Sequence, residues 1–178
     1  MIPFRVAGAA AAALIAVAAC GGDSGAGGSS LTPLAQASAP PLSLTSDVSA
    51  KTLGFTLVAG YNGANSGFNF DGHFSGNAEI DVPQGWSVTI TCNNKGPLNH
   101  SCAVVSDEAA SQPLFTGAET PNPGGGLPAG KQASFTFKPD RTGTFRIVCL
   151  VPGHEPEGMW MVFRVIGSGS PAAYTVAS

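Results

Sequence analysis

Charged side chains are scarce in this chain. Eight Lys and Arg face eleven Asp and Glu in 178 residues, 11% of the total, for a formal charge of −3. So little positive charge offers no basic stripe to neutralise phosphates, which argues against nucleic acid as a partner, and a net charge this small gives no strong long-range steering. Only three histidines are present, too few for an enzyme that holds several imidazole-bound metals at once. Long charged amphipathic helices are excluded by the same poverty of charge, while 24 glycines and 14 prolines favour short strands separated by many turns. The composition predicts an all-β protein.

One long apolar run exists, and it stands at the N-terminus. Arg5 precedes "VAGAAAAALIAVAA", which ends at Cys20 before two glycines, the layout of a secretory signal. The small residues of "VAAC" resemble a bacterial lipobox, in which the cysteine becomes the lipidated first residue of the mature chain. The alternatives are an ordinary signal cut near Ala18 or Ala19, or an uncleaved anchor. Residues 1–20 are therefore expected to be a lipoprotein-type signal and 21–45, small, polar and proline-dotted, a flexible tether. The folded domain is expected over 46–168, and 169–178 as a loose tail.

Within the domain, strand-like runs recur between turn signals: "TLGFTLVAG", "NAEIDV", "WSVTITC", "HSCAVVS", "QASFTFKP", "TFRIVCLV" and "MWMVFRVIG". Seven to eight strands and no helical stripe indicate a β-sandwich or barrel. In "WSVTITC" the alternation puts Trp86, Val88, Ile90 and Cys92 on one side, which should face the core. The stretch between Ser106 and Lys131 has no period and should be an irregular excursion, with a helical turn at "DEAASQ".

Chemistry concentrates in "CLVPGHEPEGM". Cys149, His154 and Met159 follow one another at equal spacing, so one proline- and glycine-shaped loop supplies a thiol, an imidazole and a thioether. Copper alternates between a cuprous state that prefers soft sulfur and a cupric state that accepts imidazole nitrogen, and two histidines with a thiolate and a weak axial methionine suit neither fully. Such a site needs a second histidine. His100, opening a strand directly after the turn "NNKGPLN", is the better candidate, whereas His73 in "FDGHFSG" is expected to be a solvated turn residue. Met161 is a rival to Met159 but belongs to the strand run "MWMVFRV", and Trp86 and Trp160 are expected to pack. A structural zinc site written from Cys92, His100, Cys102 and Cys149 is the competing metal reading; it leaves His154 and Met159 without a purpose.

The combination of "VPQGW", "NHS", "FNFDG" and above all "CLVPGHEPEGMW" resembles the blue copper proteins, or cupredoxins, most closely the sulfocyanins, with rusticyanin near. The resemblance spans roughly residues 51–166. It implies a Greek-key β-sandwich with one type 1 copper, His100, Cys149 and His154 as equatorial ligands and Met159 as axial ligand. Many blue copper proteins carry Asn directly after the first histidine. Here that place is Ser101, as in rusticyanin-like sites, which hints at a high reduction potential.

Cys92 and Cys102 are a second departure. Cys102 lies two residues beyond His100 and shares its side of an extended strand, so both thiols point into one interior. For an exported protein the expected outcome is a disulfide bracing the ligand-bearing strand; the alternative is two buried free thiols. The functional expectation is a lipid-anchored, monomeric carrier of single electrons between respiratory partners, on the outer side of the cytoplasmic membrane or in a periplasm, and not an enzyme. Docking is expected on the apolar rim of His154, at Pro97, Leu98, Val151, Pro152 and Pro156, with Glu155 and Glu157 either favouring a basic partner or merely solvated. Copper storage or delivery, and an accessory domain serving a copper oxidoreductase, are the alternatives.

Overall fold

A computed structural model describes residues 42–177. The signal over 1–20, the lipidation site Cys20 and nearly all of the tether over 21–45 lie outside the described residues. Among the described residues there are nine strands: β1 Thr45–Asp47, β2 Thr52–Ala59, β3 Ala78–Pro83, β4 Ser87–Asn94, β5 Ala103–Val105, β6 Gln132–Phe137, β7 Gly143–Val148, β8 Trp160–Ile166 and β9 Ala173–Val176. They form two sheets, ordered β1-β2-β4-β6 and β5-β7-β8-β3-β9. The parallel pairs β2·β4 and β3·β8 break what would otherwise be plain hairpin connections, and the two sheets close on one core. This is the expected all-β sandwich.

Strict alternation builds that core. Leu53, Phe55, Leu57 and Ala59 of β2 face inward, as do Val88, Ile90 and Cys92 of β4, and they meet Ile80 and Val82 of β3 with Met161, Phe163 and Val165 of β8. Trp86 is buried with them, as its place in the alternation predicts. The opposite face of the first sheet is hydroxylic: Thr89 pairs with Thr136 at 2.9 Å and Thr91 with Ser134 at 2.8 Å. On the outer face of the second sheet, Arg164 makes a two-pronged contact with Asp81 across the β3·β8 pair at 2.7 and 2.8 Å.

The structure corrects several expectations. The tail over 169–178 is not loose along its length, because β9 pairs antiparallel with β3 and Tyr174 is half-buried against the core. Composition hid this: a four-residue edge strand between Pro171 and the end carries too little apolar pattern to be seen. At the other end, Leu42 is buried and Thr45 already belongs to β1, so this part of the segment read as tether belongs to the fold. The strand expected from His100 shortens to β5, and "DEAASQ" forms no helical turn; the chain makes a turn at Glu108 and Ala109 with Ala109 left-handed, φ 62. The excursion after Val105 is otherwise irregular as expected. It nevertheless runs beside β5, with Val104 N–H donating to Ala118 at 2.8 Å and Thr120 N–H to Cys102 at 2.9 Å.

Cys92 and Cys102 form a disulfide. Cys92 lies in β4 of the first sheet, and Cys102 immediately precedes β5 of the second. The bond therefore joins opposite walls of the sandwich rather than neighbours within one sheet.

Candidate metal centre

Two ends of the second sheet supply the site. β5 is preceded by His100 and β7 is followed by Cys149, and because β5 and β7 are antiparallel, with Ala103 opposite Val148, these two residues emerge at the same edge. The loop after Cys149 then returns over that edge to β8. Its shape is set by its own hydrogen bonds: His154 N–H donates to the Val151 carbonyl at 3.1 Å, Met159 N–H to the His154 carbonyl at 3.0 Å, and Cys149 N–H to the Met159 carbonyl at 3.2 Å. The last bond closes the loop, so Met159, fully buried, is fastened by its backbone to both Cys149 and His154.

Among the described residues, His100, Cys149 and His154 are the group of candidate metal-binding side chains that converges; their ligand atoms lie within 4.8 Å of one another. The Nδ1 atoms of the two histidines face each other at 3.2 Å, and the Cys149 sulfur is 3.3 Å from Nδ1 of His154. All three side chains are buried, His154 least so at 9% exposure. Two imidazole nitrogens and a sulfur brought this close are Lewis bases that one cation can bind together.

The electrostatics agree. Burial, with His154 as a second cause, pushes His100 down to about 4, and burial lowers His154 as well. Both shifts favour the neutral ring, whose lone pair a metal needs. Burial pushes the Cys149 thiol up, against the pull of the Ser101 and Val151 amides and the Ser101 hydroxyl. A cation that binds here must expel the thiol proton, so affinity rises with pH. Two imidazoles, one thiolate and a thioether at the end of the same loop fit copper. The zinc reading fails because the disulfide consumes Cys92 and Cys102, leaving too few strong ligands for a closed structural site.

Several parts of the site escape sequence reasoning. Ser101 N–H donates to the Cys149 sulfur at 3.2 Å, its hydroxyl lies 3.7 Å from the same sulfur, and that hydroxyl accepts the Leu150 N–H at 2.9 Å. Ser101 thus links the two ligand-bearing ends. His100 N–H donates to Leu127 at 3.1 Å and its carbonyl accepts the Leu127 N–H at 2.6 Å, so the irregular excursion clamps the ligand from behind. Two glycine backbones wall the ring: a Cβ on Gly60 would stand 3.1 Å from Nε2 of His100 and 2.6 Å from Cα of Gly96, and one on Gly96 would stand 3.0 Å from that nitrogen. Nε2 of His100 is buried without a partner.

The stretch "FNFDG" acquires a physical role. Asn69 is fully buried and its amide accepts from Tyr61 and Gly72 and donates to the carbonyls of Tyr61 and Ala64, which fixes the turns around it. Phe68 is thereby held edge-on to His154, ring centroids 4.9 Å apart. From the same region, the Asn65 amide donates to the Glu157 carbonyl at 2.6 Å and Ser75 N–H to the Gly158 carbonyl at 2.7 Å. These long-range ties to the ligand loop leave no periodic trace in the chain.

Of the expected docking residues, Pro97, Leu98, Pro152 and Pro156 are exposed, Leu98 at 43%, and Val151 is half-buried. Glu155 is neither solvated nor free for a partner: it is paired with Arg146, while Glu157 is exposed. His73 is half-buried against Tyr174, centroids 6.0 Å apart, rather than solvated, and it stands outside the converging group. Met161 is core, as expected.

The sulfocyanin (SoxE) domain family matches residues 39–177. The sulfocyanin of Sulfolobus acidocaldarius is 30% identical over 140 residues, covering 72% of this chain and 70% of that protein. Among solved structures, rusticyanin variants superpose with a TM-score of 0.51 at 24% identity, covering 65% of this chain and 78% of theirs. Auracyanin A from Chloroflexus aurantiacus covers 65% of this chain and 99% of its own at 18% identity, with a TM-score of 0.46.

Proposed function

This chain belongs to the sulfocyanin family of cupredoxins, and on that premise we propose that it is an exported, lipid-anchored carrier that passes single electrons between protein partners of a respiratory chain. Its cofactor is one type 1 copper. The observation that carries the reading is the buried convergence of His100, Cys149 and His154, closed by the loop that ends at Met159. When bound, copper supplies a one-electron couple. The residues supply the rest.

His100 and His154 offer neutral nitrogens, Cys149 offers the sulfur, and Met159 is the axial candidate. The Ser101 amide and hydroxyl stabilise negative charge on that sulfur, and hydrogen bonds to a ligand sulfur favour the reduced state, which supports a high potential. Burial of all four side chains keeps water away from the site. Exchange with partners is assigned to the surface that covers the buried His154, at Pro97, Leu98, Val151, Pro152 and Pro156. Export and lipidation rest on "VAAC" at 17–20 and the apolar run before it.

The test is an absorption and electron paramagnetic resonance spectrum of the full chain loaded with cupric ion, beside Cys149→Ser. An intense visible thiolate-to-copper band with narrow copper hyperfine splitting, lost in the variant, supports the carrier. A colourless wild type, or a band that survives the substitution, overturns it. Mass analysis of membrane-extracted protein tests the anchor: a diacylated N-terminus at Cys20 is expected, and an unmodified chain cut near Ala18 or Ala19 overturns it.

A further inference from the structure

Beside the ligand loop lies an ion pair that neither ligation nor the core accounts for. Arg146, on β7, stacks over the Trp160 ring with its guanidinium carbon 4.0 Å from the centroid. Its Nη1 donates to Glu155 at 3.0 Å, and its Nη2 to Glu108 at 3.4 Å. The other carboxylate oxygen of Glu155 accepts the N–H of Ala109 at 3.2 Å. Three separate segments, β7, the turn at 108–109 and the ligand loop, therefore meet at one carboxylate.

Two facts set this pair apart from an ordinary surface contact. The side chains of Arg146 and Glu155 are only 20% and 12% exposed, so solvent screens them weakly, whereas Glu108 at 80% adds little. Ala109 holds a left-handed backbone, φ 62, unfavourable for a residue with a Cβ, and its amide is the one Glu155 captures. Glu155 is also the immediate neighbour of His154, so whatever fixes the carboxylate fixes the backbone that carries the ligand.

We propose that Arg146 and Glu155 are positioning residues that clamp the His154 segment to the outer face of the second sheet, and that their balanced charges set the electron affinity of the metal held there. The proposal rests on the copper reading of the site. The oxidised centre carries one more positive charge than the reduced one. Removing either partner leaves the other as an uncompensated, poorly screened charge next to a ligand. A stranded Arg146 favours the reduced state and a stranded Glu155 the oxidised state.

The signs give the test. In redox titrations of the copper-loaded full chain, Glu155→Gln should raise the potential, Arg146→Met should lower it, and the double variant should return close to wild type. Arg146→Lys, which keeps the charge but loses the fork and the flat stack, should stay near wild type. A purely structural clamp loosens the loop whichever partner is removed, so shifts of the same sign in both single variants overturn the inference. If Arg146→Met does not fold, a raised potential in Glu155→Gln with an unchanged one in Arg146→Lys supports it, and a lowered or unchanged Glu155→Gln overturns it. The metal-free chains carry an independent readout: urea midpoints across the cycle of Arg146→Lys and Glu155→Gln should be non-additive, and additive losses overturn the clamp. A wild type without the blue band refutes the copper reading alone, because the metal-free cycle still decides the clamp.

Discussion

The bond between Cys92 and Cys102 spans the sandwich, joining β4 of one sheet to the residue that leads into β5 of the other, ten positions along the chain. His100 is two residues away, so the covalent tie holds the ligand-bearing turn against both walls. Closing a loop of this length removes denatured-state entropy worth about 2–3 kcal/mol. Cys92→Ala/Cys102→Ala should lose about that much in urea unfolding while keeping the copper band. Mass spectrometry after alkylation of the denatured wild type, without reductant, should label Cys149 and leave both partners unlabelled; labelling of all three would refute the bond.

Gly60 and His100 are in close approach. Gly60 has φ 70, and a Cβ there would stand 2.6 Å from Cα of Gly96 and 3.1 Å from Nε2 of His100. Backbone cannot swing aside as a side-chain tip can, so Gly60→Ala should destabilise the fold by about 2–4 kcal/mol through strain and overpacking. Displacement of the ring should also broaden the copper hyperfine pattern. An unchanged urea midpoint and spectrum would show that the wall behind His100 is softer than the distances imply.

Ser101 faces the Cys149 sulfur through both its amide and its hydroxyl. Ser101→Ala keeps the amide, loses the hydroxyl and strands the Leu150 N–H, which donates to that hydroxyl at 2.9 Å. The unpaired amide costs about 1–3 kcal/mol. The potential should fall, because one donor near the thiolate is gone. A potential that rises or stays constant in redox titration refutes the role assigned to the hydroxyl.

Asp71 gives the fold a pH dependence of uncommon sign. It is 4% exposed, its Oδ2 has no partner, and burial, opposed in part by the Val58 amide, pushes it up to about 7 from 3.8. Between those values the folded chain holds a proton that the unfolded chain has released, so stability falls as pH rises from about 4 to about 7. The span corresponds to at most about 4 kcal/mol. Because other groups titrate too, the measurement is the difference in urea stability between wild type and Asp71→Asn. That difference should shift in favour of the variant as pH rises from 4 to 7; a difference independent of pH refutes it. Tyr174, pushed up to about 12 by burial and by Asp71, stays neutral throughout and brings β9 to this buried carboxyl.

Fold class and ligand set are legible in the chain because both depend on local order. Alternation in "WSVTITC" assigns faces without reference to any partner, since side chains of a strand point to opposite sides in turn. Cys149, His154 and Met159 stand in one short loop, so their spacing survives in one dimension. His100 needs one added inference, that a strand beginning there starts at the edge where the strand leading to Cys149 ends, and the antiparallel β5·β7 pairing supplies it.

What only the tertiary structure decided is everything carried by contacts between distant segments. The walls of His100 come from Gly60, Gly96 and Leu127, the edge of His154 from Phe68, the loop's fastening from Asn65 and Ser75, and the partner of Glu155 from Arg146. Each is a single residue outside the strand periodicity, and a contact over dozens of residues leaves no pattern in sequence. The β9 edge strand belongs to the same class, because a short strand takes its order from the sheet it joins rather than from its own propensity. The sequence determined which atoms can hold the metal; packing of the two sheets decided what surrounds those atoms, and therefore how they are held and tuned.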